Sequence, residues 1–435
     1  MQALRLFNLI ISLVFFLCYA YQLLYAVLPL LRREKPLPPG RGEHELAVLI
    51  CARNEEAVVG DLLDSLRAQT YPREKLHVFV LADGCTDGTA AVARAAGAAV
   101  YIRNEPERVG KGYALEFLMS RIREDFPRGF DAYLVFDADN LLEPDYVEQM
   151  DRSFSSGFEV VTGYRNSKNY GTNWISAGYA LWFLRESRYL NHARHLLGVS
   201  CAVSGTGFLF SRAVAEEQGG WPFHLLTEDV EFAVARILRG RRIGFCASAE
   251  LYDEQPETFS QSWRQRLRWA RGYLQVFRRY GGGLLKGILK GSFACFDVTV
   301  NVFPVIILTV VSLGINLAAG LLAALRGAPA AFAFRSAALG LGNGLLVLFL
   351  RGLWTTVTEW KHIRASAGRK LLAVFTFPFF MLTYLPVSAA ALFVNPGWKP
   401  IRHTVTAEDF RKSGRGPRPK SFPLRSVANE AVDNR

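Results

Sequence analysis

The sequence predicts an α/β domain, a mostly parallel sheet with helices on both faces, set among helical transmembrane segments. Two observations predict it. Short, wholly apolar runs alternate with helical patterns through the first half of the chain, which is how a parallel sheet covered on both faces reads. Long runs with almost no charge flank that region. Half of the 435 residues are hydrophobic and 21% are charged, below the ~25% of a soluble domain. Disorder, a collagen-like fibre and a simple cytosolic domain are excluded. The 51 Lys+Arg against 39 Asp+Glu give a formal +12. In an apolar chain that excess points to anionic lipid rather than nucleic acid. Six cysteines form no CxxC pair, so neither a zinc site nor a disulfide framework is indicated.

Taken in order, Leu6–Leu31 carries no charge and is long enough to span a bilayer. Arg32, Arg33, Lys35 and Arg41 follow it and only Arg5 precedes it, so the chain beyond is expected in the cytosol. Residues 1–35 thus form an anchor and its basic flank, and Pro36–Gly42 is a stiff linker. Residues 45–255 form the α/β domain. Its strands are Leu46–Cys51, Leu76–Ala82, Ala99–Arg103 and Ala132–Asp137, with helices over Glu55–Ala68, Gly88–Ala96 and Gly112–Arg123. Residues 256–295 interleave Trp263, Trp269, Tyr273 and Phe277 with arginines, the pattern of helices lying at a membrane interface. Residues 296–394 hold three further apolar runs, Val298–Leu325, Ala331–Leu350 and Leu371–Val394, with a basic cytosolic loop at Thr355–Lys370. Residues 395–435 form a basic polar tail, disordered from about Ser413. Counting four spans puts that tail outside and its charges pull it inside. Pro378 and Pro386 leave open whether the last run crosses, and a cytosolic tail is the reading preferred.

Ligands of such sheets bind at the carboxyl ends of the strands, so the polar residues there are the candidates. Arg53 and Glu55 follow the first strand and Asp83 ends the second. Asp83 can hold a base or ribose, or can simply make the Asp-Gly turn. Asp137 and Asp139 end a wholly apolar strand, where residues i and i+2 share a face. They can converge on one Mg²⁺ or Mn²⁺, an ion that takes oxygens from one or two carboxylates and from substrate phosphates. The other reading is an acidic surface turn. Lys111, between two glycines at a helix start, suits an anionic group. After the glycine-rich stretch Ser204–Gly207 come Thr227, Glu228 and Asp229. Thr227 can cap the helix that follows, and acids in its first turn favour the dipole. Asp229 is also a candidate general base. Gln265, Arg268 and Trp269 fit QxxRW and share one helix face. They offer an amide, a cation matched to a diphosphate, and a flat indole for a sugar ring. Trp263 and Arg266 read as interfacial anchors.

The order ARNEE, DG, DAD, TED, QRLRW, with flanking membrane helices, resembles the processive family 2 glycosyltransferases, among them bacterial poly-N-acetylglucosamine, hyaluronan, chitin-oligosaccharide and cellulose synthases. The resemblance covers residues 45–275 by motif. It implies a GT-A fold and inverting transfer from a UDP-sugar, expected to be UDP-N-acetylglucosamine, to a growing exopolysaccharide. It implies that Asp83 lies near the uracil, with Arg53, Glu55 and Lys111 also on the donor. It makes Asp139 the main metal ligand with Asp137 beside it, and Asp229 the base with Glu228 next to it. Gln265, Arg268 and Trp269 become the element that holds the acceptor sugar and the diphosphate. The implied setting is a multi-pass protein of a bacterial-type inner or plasma membrane, with its catalytic domain cytosolic and room for a small accessory membrane subunit. The chain departs from the cellulose synthases in lacking their FxVTxK loop and their cyclic-dinucleotide-binding domain, and one helix precedes the catalytic domain. Two rival readings are a non-processive enzyme that adds one sugar to a lipid and a nucleotide-binding transporter. Scarcity of charge in the apolar runs argues against the transporter.

Overall fold

The computed structural model describes residues 2–32, 37, 43–302, 305–327, 330–397 and 401–413. Arg33, Lys35, Arg41, the linker Pro36–Gly42 apart from Leu37, and the tail beyond Ser413 lie outside the described residues.

Eight strands form one mixed sheet: β1 (Leu46–Ala52), β2 (Leu76–Asp83), β3 (Ala99–Arg103), β4 (Ala132–Asp137), β5 (Leu141–Leu142), β6 (Val160–Ser167), β7 (Phe208–Ser211) and β8 (Gly244–Asp253), in the order β3-β2-β1-β4-β7-β6-β8-β5. The half from β3 to β4 is parallel, as expected from its apolar runs. Beyond it β7 runs antiparallel to both β4 and β6, while β6 and β8 are parallel. The reversal at β7 leaves β4, β6 and β8 pointing the same way. Their carboxyl ends, Asp137, Ser167 and Asp253, therefore meet at one edge of the sheet beside Ala52 and Asp83.

Alternate residues of β1 feed the two faces. Ala47 and Leu49 pack with Leu115, Leu118 and Tyr179 on one face, and Leu46, Val48 and Ile50 with Leu62, Leu66 and Met150 on the other. Helices therefore cover both sides. The first of them starts at Val59, not Glu55. Residues 53–58 are held as a loop instead, because Asn54 takes a left-handed φ of 58° and its Oδ1 accepts from Thr86 N at 2.8 Å.

Helix Phe259–Leu289 begins where Thr258 Oγ1 accepts from Gln261 N. Arg266, expected as an interfacial anchor, is instead fully buried in it. Its guanidinium donates to Phe380 O at 3.2 Å and stacks on Phe380 and Tyr384. A cation that far from water needs such partners, and the helices Ala367–Leu382 and Tyr384–Phe393 supply them.

Among the described residues, three stretches are long and apolar enough to cross a membrane: Gln2–Leu31, Ala331–Thr358 and Ala367–Phe393. The helix Val305–Leu325 includes a shorter apolar segment, Thr309–Leu325. Ala367–Phe393 is held by the α/β domain along its length. Arg369 donates to Gly171 O near its start, Phe377 and Phe380 join the domain core, and Arg271 donates to Ala391 O near its end. After it, residues 401–413 return to the sheet. Val405 N donates to Glu254 at 2.8 Å, Ala407 N to Asp61 at 2.7 Å, and Phe410 is buried against Tyr252.

Candidate active site

The carboxyl ends of the strands open on a cavity of about 490 Å³. Every residue singled out for chemistry in the sequence lines it: Arg53, Glu55, Asp83, Lys111, Asp137, Asp139, Glu228, Asp229, Gln265, Arg268 and Trp269.

At one end two arginines grip Asp83. Arg103 Nε donates to its Oδ1 at 2.8 Å, and Arg53 Nε donates to its backbone carbonyl at 2.6 Å. Gly84 (φ 63°) allows the approach, since a Cβ there would lie 2.6 Å from the Arg53 guanidinium. On the neighbouring loop Glu55 N donates to Thr89 Oγ1, and the Glu55 carboxylate meets His403 Nδ1 at 2.9 Å. Burial raises the Glu55 carboxyl, with His403 working against it.

Along the middle of the cavity the carboxylates come with cations. Lys111 Nζ pairs with Asp137 and donates to Gly205 O at 2.8 Å. Arg165 pairs with Asp253, Lys168 with Glu254, and His403 with Glu55. Asp139 is different. It is buried, its Oδ2 accepts only the Glu254 backbone N–H at 2.6 Å, and no cation lies within ion-pair distance among the described residues. Burial alone would raise its carboxyl, but the fields of His403 and Lys168 hold it below the usual range. A buried carboxylate kept ionised without a direct cation is suited to receive one. The Asp137–Asp139 pair therefore fits a divalent ion. No cluster of three or more His, Cys, Asp or Glu side chains is preformed for a metal among the described residues, so a substrate diphosphate would have to complete the shell.

At the start of helix Glu228–Leu238 lie two adjacent acids, Glu228 buried and Asp229 half-buried. Burial, then the Asp229 charge, pushes Glu228 up to about 7. Burial also raises Asp229, against the pull of the Val230 N–H, Lys111 and Arg268. Two such acids titrate as a pair. Both line the cavity. Thr227 does not cap: its hydroxyl makes no cap bond and has no partner among the described residues. It is pressed instead toward Gly272, whose Cβ would sit 2.6 Å from Thr227 Oγ1. The glycine-rich stretch has a clear role. At Gly205 (φ 80°) a Cβ would come within 3.7 Å of Asp229 Oδ2 and 4.0 Å of Asp137 Oδ2, so the bare glycine keeps open the space between base and metal candidates.

The QxxRW face closes the far wall. Arg268 Nη1 donates to Leu226 O at 3.1 Å, and its charge is felt by both acids. Trp269 stands edge-on to Tyr179 and Phe183. Gln265 Oε1 is buried without a partner among the described residues.

Sequence reasoning missed Arg165, Asp253, Glu254 and His403. The strand-end rule that found Asp83 and Asp137 would have found Asp253, had β8 been read as a strand. His403 lies in the segment Asn395–Thr404 (NPGWKPIRHT), distinctive in the sequence but read only as an interfacial Trp with basic neighbours.

Comparison with known proteins bears on this arrangement. The family model described as Glycosyltransferase like family 2 matches residues 44–272. A poly-beta-1,6-N-acetyl-D-glucosamine synthase of Staphylococcus aureus is 25% identical over 239 residues, 54% of this chain and 56% of the relative. A beta-monoglucosyldiacylglycerol synthase of Synechocystis is 24% identical over 54% of this chain and 49% of the relative. The chain thus matches about half the length of these curated relatives. The mannosyltransferase PcManGT from Pyrobaculum calidifontis, solved with GDP-Man and Mn²⁺, shares the fold with a TM-score of 0.52 at 18% identity, over 89% of this chain and 99% of that one.

Proposed function

Since this chain belongs to glycosyltransferase-like family 2, we propose that it is a membrane-embedded, inverting β-glycosyltransferase that carries sugar from a UDP-sugar to the growing end of an exopolysaccharide. N-acetylglucosamine is the sugar favoured, in keeping with the staphylococcal relative. The observation that carries the reading is the single cavity running from Asp83, past Asp139 and Asp229, to Trp269 and on to Leu348 and Ser388 of the apolar helices. Donor and acceptor ends of one reaction share that space.

Asp83, fixed by Arg53 and Arg103, takes the nucleobase side. Asp139, with Asp137, would hold Mg²⁺ or Mn²⁺. When bound, such an ion offsets the charge that builds on the departing UDP. Lys111 and Arg268, both on the cavity wall, would meet the diphosphate oxygens. Asp229 takes the proton from the acceptor hydroxyl on the face opposite the leaving group. Glu228, protonated up to about pH 7, leaves Asp229 as the ionised partner. Trp269 gives the acceptor ring a flat apolar surface, and Gln265 Oε1 offers a hydroxyl its missing acceptor.

The catalytic domain and the segment 401–413 belong on one side of the membrane in this reading, the cytosolic side that supplies UDP-sugar. Size analysis of labelled product from UDP-N-acetylglucosamine tests processivity. A long polymer is expected; a glycolipid carrying a single sugar would select the lipid-acceptor reading, for which the Synechocystis relative is a precedent.

A further inference from the structure

Toward the apolar helices the cavity holds two arginines that no catalytic role absorbs. Arg185 ends the helix Trp174–Arg185, and Arg351 lies in the apolar helix Ala331–Thr358. Both guanidiniums line the cavity and turn to one neutral group. Arg185 Nη2 donates to Gln22 Oε1 at 2.8 Å, and Arg351 Nη2 reaches the same oxygen at 3.5 Å. Arg185 is only 8% exposed. Neither has a carboxylate within 4.0 Å among the described residues. The nearby acids are engaged elsewhere. Asp297 is taken by Arg194 at 2.6 Å and by the hydroxyls of Tyr21 and Tyr25, and Glu186 accepts from Ser204 Oγ at 2.5 Å.

Buried charges are normally paired, and an unpaired cation facing a cavity implies an anion that visits it. A charged residue in a membrane helix is a functional candidate for the same reason. Burial, and then the Arg351 charge, pushes the Arg185 guanidinium down to about 9, with Glu186 working against them. Trp354, one turn from Arg351 on the same helix, donates its indole N–H to Ala26 O at 3.0 Å. Tryptophan at a helix end belongs at headgroup depth, where lipid phosphates lie. The same cavity is also lined by the apolar side chains of Leu348, Met381 and Leu392, which could meet a hydrocarbon chain.

We infer that Arg185 and Arg351 form an anion site for a phosphate ester at the membrane end of the cavity, with lipid phosphate as its source. Two guanidinium forks suit the several oxygens of one phosphate group. The inference rests on reading this cavity as the acceptor's space, and it holds whether the acceptor grows by one sugar or by many.

The test titrates full-length protein in neutral detergent with farnesyl phosphate, farnesol, phosphatidylglycerol and inorganic phosphate, by calorimetry. Farnesyl phosphate is expected to bind the wild type, and on the order of tenfold more weakly to Arg185→Gln and Arg351→Gln. Farnesol is expected not to bind. Preference for farnesyl phosphate or phosphatidylglycerol over inorganic phosphate identifies a lipid source. Tighter binding of inorganic phosphate than of either lipid would overturn that source. Unchanged affinity in both variants, or farnesol binding as well as its phosphate, would overturn the site itself. UDP affinity, measured on the same samples, should be equal in wild type and variants. Its absence in the wild type would count against the donor reading and not against this site.

Discussion

His403 Nδ1 lies 2.9 Å from both carboxylate oxygens of Glu55, a residue 348 positions earlier in the chain. The contact ties segment 401–413 to the loop after the first strand, and the Asp139 carboxylate acts on both partners. The end of the described chain is therefore part of the wall of the cavity.

This pair should show in the pH dependence of stability. Burial works against a charged ring, but Asp139 and Glu55 lift His403 from 6.5 to about 10. A group raised on folding stabilises fully below its unfolded pKa and loses that contribution as pH climbs through the folded one. In chelator, the wild type should melt above His403→Gln at and below pH 6.5, with the gap closing toward pH 10. Thermal melts of both proteins across that range measure it, and a constant gap would deny the pair its charge.

Asp229→Asn should bind UDP nearly as the wild type does and lose ~10²–10⁴-fold in transfer. Calorimetry beside product synthesis separates the two. Strong loss of UDP binding would move Asp229 to the donor site.

Glu228→Gln imitates the protonated acid and should keep most transfer activity. A carboxyl raised from 4.5 to about 7 lowers stability as pH rises across that interval. The variant should accordingly melt like the wild type at the acid end of the interval and above it beyond the neutral end. Identical melting at both ends would mean that Glu228 is not held protonated.

Gly205→Ala should fold with a penalty of about 1–2 kcal/mol for its left-handed φ and lose transfer, because its Cβ enters the space between Asp229 and Asp137. Gly207→Ala should destabilise more, since a Cβ there would lie 2.0 Å from Leu251 Cδ2. Melting temperature and turnover of the two variants check the order.

Strands β1 to β4 were legible because strands buried on both faces must be apolar throughout, and the acids that end them stand out against that background. β6 and β8 were not, because Gly163, Arg165 and Asn166 in one and Ser248 and Glu250 in the other break the apolar pattern. Arg165 and Asp253 were lost with them. The QxxRW face was legible from helical spacing alone. Arg266, one residue from Gln265, was misread because its aromatic neighbours Phe380 and Tyr384 arrive from more than a hundred residues away. The side of the tail could not be decided by counting apolar runs. Ala367–Phe393 is apolar on the faces it packs against the domain, and composition does not separate protein from lipid as the neighbour.

The most direct test of the account is UDP release by purified full-length protein from a panel of UDP-sugars, with Mg²⁺ or Mn²⁺ and with EDTA, for wild type and Asp139→Asn. The account predicts metal-dependent release from a UDP-sugar, UDP-N-acetylglucosamine first among them, abolished by chelator and by the substitution. Release that persists at full rate in EDTA, or no turnover of any UDP-sugar by folded protein, would contradict it.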